Sequence, residues 1–227
     1  MFQQETFCTL VLISTYIVSS VLSAQSIETA ARHAVLYDLT TDTILLNKAS
    51  DVPMPPASMS KLMTVYMVFE RLKAGRLSLD DKFVVSRKAW RKGGSKMFVM
   101  VKTRVAVKDL LRGIIIQSGN DACIVIAEGI SGSEDAFAEE MTLKAKEIGL
   151  TNSSFKNSTG WPADGHYMSA RDIATLSKKL ILDFPEYYKL FSETEFTFGG
   201  IKQGNRNPLL YKNFGADGLK TGHTKAS

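Results

Sequence analysis

Apolar positions along the chain follow more than one period, and the change of period marks the elements. Between residues 58 and 72 they run almost unbroken, with Met59, Leu62, Met63, Val65, Tyr66, Met67, Val68, Phe69 and Leu72 leaving no wide polar face. A helix that is apolar all round belongs in the middle of a domain. Pro55-Pro56 marks its start, because proline is excluded from a helix interior but tolerated at its edge, and Gly75 marks its end. Upstream, Ala34 to Asp38 and Thr43 to Asn47 are β-prone runs split by Leu39-Thr40-Thr41-Asp42, which predicts a hairpin. Phe83-Val84-Val85 reads as a short strand.

Helical spacing returns at Val107 to Gln117, where Leu110, Leu111, Ile114 and Ile115 share one side. Ser118-Gly119-Asn120 is a strong turn signal, after which Asp121 to Gly129 resumes as helix. Ser133 to Ile148 is amphipathic. Ser133 is its cap, Glu134 and Asp135 fill the first turn, Lys144 and Lys146 lie near the end, and Gly149 is the stop. After a loop from Thr151 to Met168, a second capped helix runs from Ser169 to Leu182. Phe196 and Phe198 alternate with threonine as in a half-buried strand. No repeat, low-complexity tract or charged linker interrupts the chain. Strands, then helices, then strands is the order of an α+β domain, a mostly antiparallel sheet with helices packed on it.

The first residues differ in kind. Phe7 to Leu22 carries no charge, and Leu22-Ser23-Ala24 offers a small residue before Gln25. Residues 1–24 therefore read as a secretory signal peptide and 25–227 as the domain. Glu5 stands where basic residues usually precede such a run, so an uncleaved anchor is the weaker alternative. With 227 residues, 44% of them hydrophobic, the chain can bury one sizeable core. A net charge of +5 without a Lys/Arg block and interleaved aromatics speaks against nucleic-acid binding. Cys8 would leave with the signal peptide, and Cys123 alone forms no internal disulfide. His33, His166 and His223 lie far apart in sequence, so each reads as a surface or hydrogen-bonding histidine and no metal or other cofactor is expected.

The chemistry begins at the head of the buried helix. Ser58 alone would be an ordinary N-cap, but Lys61 sits where a capping box wants Glu or Gln and where the helix dipole disfavours a cation. Burial and the dipole together should lower its pKa. A neutral amine beside a hydroxyl is a base beside a nucleophile. The break at Ser118-Gly119-Asn120 puts polar side chains inside the domain, where they need partners that a functional site can supply.

In order along the chain, Ser58-x-x-Lys61, Ser118-Gly119-Asn120 and Lys220-Thr221-Gly222 resemble the three-part signature of the penicillin-interacting serine enzymes. Pro56-Ala57-Ser58-Met59-Ser60-Lys61, Asp164-Gly165-His166, Ser169-Ala170-Arg171-Asp172 and Gly218-Leu219-Lys220-Thr221-Gly222-His223-Thr224 extend the likeness. Over residues 30 to 227 they look like the low-molecular-weight penicillin-binding proteins that act as D-alanyl-D-alanine carboxypeptidases. The resemblance implies a β-lactamase/DD-peptidase-like fold with a largely helical lobe, and it puts Lys220 on a strand beside the site. It implies Ser58 as nucleophile, Lys61 as general base, Ser118 as proton donor to the leaving amine, and Asn120 holding the substrate amide and orienting Lys61. The oxyanion would rest on the N–H groups of Ser58 and His223. Lys220, Thr221 and Gly222, helped by Arg206 of Asn205-Arg206-Asn207, would bind the substrate carboxylate.

The implied partners are peptidoglycan stem peptides ending in D-Ala-D-Ala, with β-lactams as inhibitors, at the periplasm or the outer face of the cytoplasmic membrane. Two more sheet strands, a closing helix and a C-terminal membrane-associating segment would follow residue 227, so the chain is expected to be C-terminally incomplete. Two features depart from the pattern: the loop from Trp90 to Phe98, whose basic glycine run Arg91-Lys92-Gly93-Gly94-Ser95-Lys96 reads as a turn, is short, and Gly119 stands where the Ser-Asp-Asn form of the middle motif has Asp, although this is the form that resembles the carboxypeptidases. A class A β-lactamase needs a deacylating glutamate in the middle region, and none lies between Glu147 and Glu186. A D,D-endopeptidase of the same fold, or a module that grips cell-wall peptide ends without turnover, are the other readings. Intact Ser58, Lys61, Ser118 and Lys220 argue against the module.

Overall fold

The computed structural model describes residues 27–223, and the expected signal peptide lies outside them. Helix α1, Lys61–Lys73, is the axis. Every residue from Lys61 to Phe69 is buried in it. It does not begin as a capped helix at Ser58. A 3-10 turn, Ala57–Ser60, precedes it, and neither Pro56 nor Ser60 makes a side-chain cap bond. The Ser58 hydroxyl pairs with Lys61 instead of a backbone N–H, so this serine is not spent on capping.

Around α1 pack α3 (Val107–Ile115), α4 (Asn120–Ser131), α5 (Glu134–Glu147) and α6 (Ala170–Asp183). Helix α4 is the second buried rod, with Ala122 to Ala127 fully enclosed. The caps are those the sequence announced: Ser133 Oγ accepts the Ala136 N–H at 3.1 Å and Ser169 Oγ that of Asp172 at 3.1 Å. Short helices α2 (Arg87–Arg91) and α7 (Pro185–Tyr188) complete the helical body.

The single sheet expected from the strand runs is, among the described residues, three antiparallel pairs. Strand β1 (Ala34–Asp38) pairs with β2 (Thr43–Lys48), β3 (Lys82–Val84) with β4 (Arg104–Ala106), and β5 (Glu195–Phe198) with β6 (Ile201–Gly204). The β1–β2 hairpin leans on α6 through Lys178, which bonds Asp42 and lies 5.0 Å from the Tyr37 ring centre. Arg171 ties the following turn to α6 by a two-pronged pair with Asp51, its Nε at 2.5 Å.

Lys220 was expected on a strand. Residues 212–223 instead run without a backbone ladder, because no described strand pairs with them. Asn207 Nδ2 donates to the Gly218 carbonyl at 2.7 Å and the Tyr188 hydroxyl to Asp217 at 2.9 Å, holding the segment from the side. It then crosses the turn that carries Ser58: a Cβ at Gly222 would lie 3.0 Å from Met59 Cγ and 3.3 Å from the Pro56 carbonyl oxygen.

Candidate active site

Lys61 has no exposed surface, yet it is a cation in water. Burial first, then the charges of Arg206 and Lys92, push its amine down to about 8. Nζ donates to Ser58 Oγ at 2.9 Å and to the Thr159 carbonyl at 2.5 Å. Ser58 itself is half-buried, at the edge of the core.

The break between α3 and α4 presents Ser118 at φ +63°, a strained angle for a residue with a side chain. Its hydroxyl is buried and has no hydrogen-bond partner among the described residues. An orphaned buried hydroxyl is costly in a resting fold and useful where a ligand will meet it. Asn120 makes no hydrogen bond to Lys61. Its Nδ2 donates to the Gly93 carbonyl at 2.9 Å and its N–H to the Ser95 carbonyl at 2.7 Å. Among the described residues the carbonyl that accepts from Lys61 Nζ is that of Thr159, where an orienting contact from Asn120 was expected, and the glycine loop holds the amide nitrogen of Asn120.

That loop, Arg91 to Lys96, reads in the sequence as a simple turn. In the structure it forms a wall of the cleft. Gly94, at φ +77°, leaves no room for a side chain: a Cβ would sit 2.8 Å from Asn120 Nδ2 and 3.1 Å from the Trp161 ring. Asp121 fixes the next stretch by accepting from the N–H groups of Met97 and Phe98, both at 2.9 Å, and Val99 at 3.2 Å. Lys92 lies 4.4 Å from the Trp161 ring centre, and Trp161 is 45% exposed at the rim.

Across the cleft, Lys220 Nζ donates to the Thr221 carbonyl at 2.8 Å. Burial, then Lys61 and Arg206, bring its amine down to about 7. Thr221 is half-buried, while Gly222 and His223 are exposed. Arg206 Nη1 donates to Ser95 Oγ at 2.7 Å, and its charge reaches both lysines. The structure thus gathers Ser58, Lys61, Ser118, Asn120, Arg206 and the Lys220 segment from four separate parts of the chain.

Nothing in the apolar pattern marked Thr159. An Asn-x-x-Gly turn was the available signal. Asn157 Oδ1 accepts from Thr159 N–H at 3.1 Å, Thr159 O–H at 2.9 Å, Gly160 N–H at 2.9 Å and Trp161 N–H at 3.0 Å. His166 belongs to the same loop and is a buried hydrogen-bonding histidine, 6% exposed. Its Nδ1 accepts the Lys156 N–H at 3.1 Å, so the ring proton sits on Nε2 and is donated to Ser60 Oγ at 2.8 Å. Burial first, then Lys156 and Lys61, lowers this imidazole to about 4 and keeps it neutral.

A serine beside a buried lysine that gives up its proton more readily than usual, faced by a second cationic pocket, can perform acyl transfer on a substrate that ends in a carboxylate. Penicillin binding protein 5 from Haemophilus influenzae matches this backbone with a TM-score of 0.85 at 41% identity, over 88% of this chain and 59% of that one. The D-alanyl-D-alanine carboxypeptidase DacD from Francisella tularensis gives 0.85 at 34%, over 89% and 62%. The fold is that of the penicillin-binding DD-peptidases, α+β as the element order predicted. A profile of the D-alanyl-D-alanine carboxypeptidase family matches residues 20–227, and the chain belongs to that family. The carboxypeptidase DacC of Escherichia coli (strain K12) is 43% identical over 201 residues, 86% of this chain and 50% of that protein. The chain spans about half the length of the curated relatives it matches.

Proposed function

We propose that the protein is a serine-type D-Ala-D-Ala carboxypeptidase of the bacterial cell wall, exported to act on peptidoglycan stem peptides. The observation that carries this is the pairing of Ser58 Oγ with the amine of a fully buried Lys61 at 2.9 Å, with that amine lowered to about 8. Ser58 Oγ attacks the carbonyl carbon between the two terminal D-alanines while Lys61 Nζ takes its proton. The oxyanion is held by the N–H groups of Ser58 and His223. Ser118, whose hydroxyl has no competing partner among the described residues, relays the proton held on Lys61 to the leaving amine, D-alanine departs, and water hydrolyses the acyl-enzyme.

Lys220, Thr221 and Arg206 receive the terminal carboxylate, for which the Lys220 amine must leave the Thr221 carbonyl. Gly222 lets this segment pass close to the Ser58 turn, and Asn120 holds the substrate amide with the atom that the glycine loop leaves over. β-Lactams, with a strained amide and a carboxylate in similar relation, acylate the same serine. The family relationship and the penicillin-binding neighbours support both statements.

Incubation of the full-length protein with benzylpenicillin should add one penicilloyl mass to the peptide containing Ser58, and Ser58→Ala should abolish it. Label that persists in the variant would place the nucleophile elsewhere. A pentapeptide stem analogue should release free D-alanine. Cleavage of cross-linked dimers without that release would identify an endopeptidase, and tight binding with neither product a cell-wall-binding module.

A further inference from the structure

Glu134 opens α5 and is only 5% exposed. It is not needed as a cap, since Ser133 already accepts the Ala136 N–H. Its carboxylate turns instead toward the loop that faces Lys61. Oε1 accepts from Ser158 N–H at 3.2 Å and Ser158 O–H at 2.9 Å, and Oε2 pairs with Lys88 Nζ at 2.9 Å. Ser158 is fully buried, and its carbonyl accepts the Thr64 hydroxyl at 2.7 Å, one turn along α1 from Lys61. The next carbonyl in the chain, that of Thr159, is the 2.5 Å partner of Lys61 Nζ.

We propose that Glu134 is a positioning residue for the general base: through Ser158 it holds the Thr159 carbonyl on the Lys61 amine and so aims that amine at Ser58. The role rests on the assignment of Lys61 as base. A carboxylate suits it because one oxygen can take both Ser158 donors while the other is satisfied by Lys88, leaving no buried acceptor unmatched. Lys88 reaches in from α2 with half its side chain in water, so it can release Glu134 without being stranded.

The two duties of Glu134 can be separated in the full-length protein by the rate at which benzylpenicillin acylates Ser58, with the thermal transition followed in parallel. Lys88→Ala breaks the ion pair and keeps the Ser158 acceptor. Glu134→Gln does the same, its amide oxygen still facing Ser158. Glu134→Ala removes both, and Glu134→Asp keeps the charge for Lys88 but draws it back from Ser158. Displacing a reacting group by about 1 Å costs roughly 100-fold. The expected order is therefore near-normal acylation for Lys88→Ala and Glu134→Gln, with a fall of about 10- to 100-fold for Glu134→Ala and Glu134→Asp.

If Glu134 only stabilises the fold, acylation by folded Glu134→Ala will match that of Lys88→Ala, and the proposal is overturned. Should Glu134→Ala not fold, a wild-type rate in Glu134→Asp overturns it equally. Wild-type protein that takes no label at all would instead overturn the catalytic reading on which this role depends.

Discussion

A lysine amine lowered to about 8 is still mostly protonated at neutral pH, so the rate should report its titration directly. A general base works only when unprotonated. Acylation should therefore rise with pH through about 8 and fall below it. Lys61→Arg keeps the charge and loses the ability to shed it, since guanidinium does not deprotonate in proteins. General-base catalysis contributes about 100- to 10,000-fold, and a loss of that size in penicillin acylation is expected. A variant within a few-fold of wild type would remove Lys61 from the proton path. Lys61 is also the clearest case of a site geometry legible in the sequence: a cation at the positive end of an apolar helix is at odds with its setting, and the structure buries it against Ser58.

Among the elements, those fixed by local rules were legible and those fixed by partners were not. Helix α1 follows from its unbroken apolar run, α5 and α6 from Ser133 and Ser169, and the β1–β2 hairpin from alternation about its turn. The Lys220 segment was expected as a strand, but a strand depends on a neighbour's backbone and, among the described residues, none is paired with it. The glycine loop gave no sign of its role, because its value to Asn120 lies in a contact with residues far away in sequence. The meeting of the 157–161 loop with the 3-10 turn was equally hidden. Gly160, at φ +77°, brings its Cα so near that a Cβ would lie 1.8 Å from the Ala57 carbonyl oxygen. Gly160→Ala must displace the turn that presents Ser58. Acylation should drop by about 100-fold while a cooperative thermal transition survives. Normal labelling in that variant would show that the turn tolerates the shift.

Across the whole molecule, burial is uneven. Helices α1, α3 and α4 hold most of the fully enclosed side chains, whereas on the β1–β2 hairpin Leu36 is 42%, Ile44 41% and Leu45 54% exposed. The hairpin meets the helical body through α6, by way of Lys178 and Tyr37. Regions with few buried apolar contacts open at low free energy, while core helices exchange only on global unfolding. In this 227-residue chain, amide hydrogen exchange should be fast across residues 34–48 and slowest in α1 and α4. Equal protection in hairpin and helices would show that the hairpin is bound into the same cooperative unit.

Burial brings the amines of Lys61 and Lys220 down to about 8 and about 7, and the charge of Lys61 lowers that of Lys220 further. On the proposed reading, a carboxylate that settles on Lys220 favours its ammonium form and brings a negative charge of its own, so the charge added near Lys61 nearly cancels. Docking of an anionic peptide end would thus leave the base as ready as it stood in the empty cleft, and one titration should govern the free and the loaded enzyme alike.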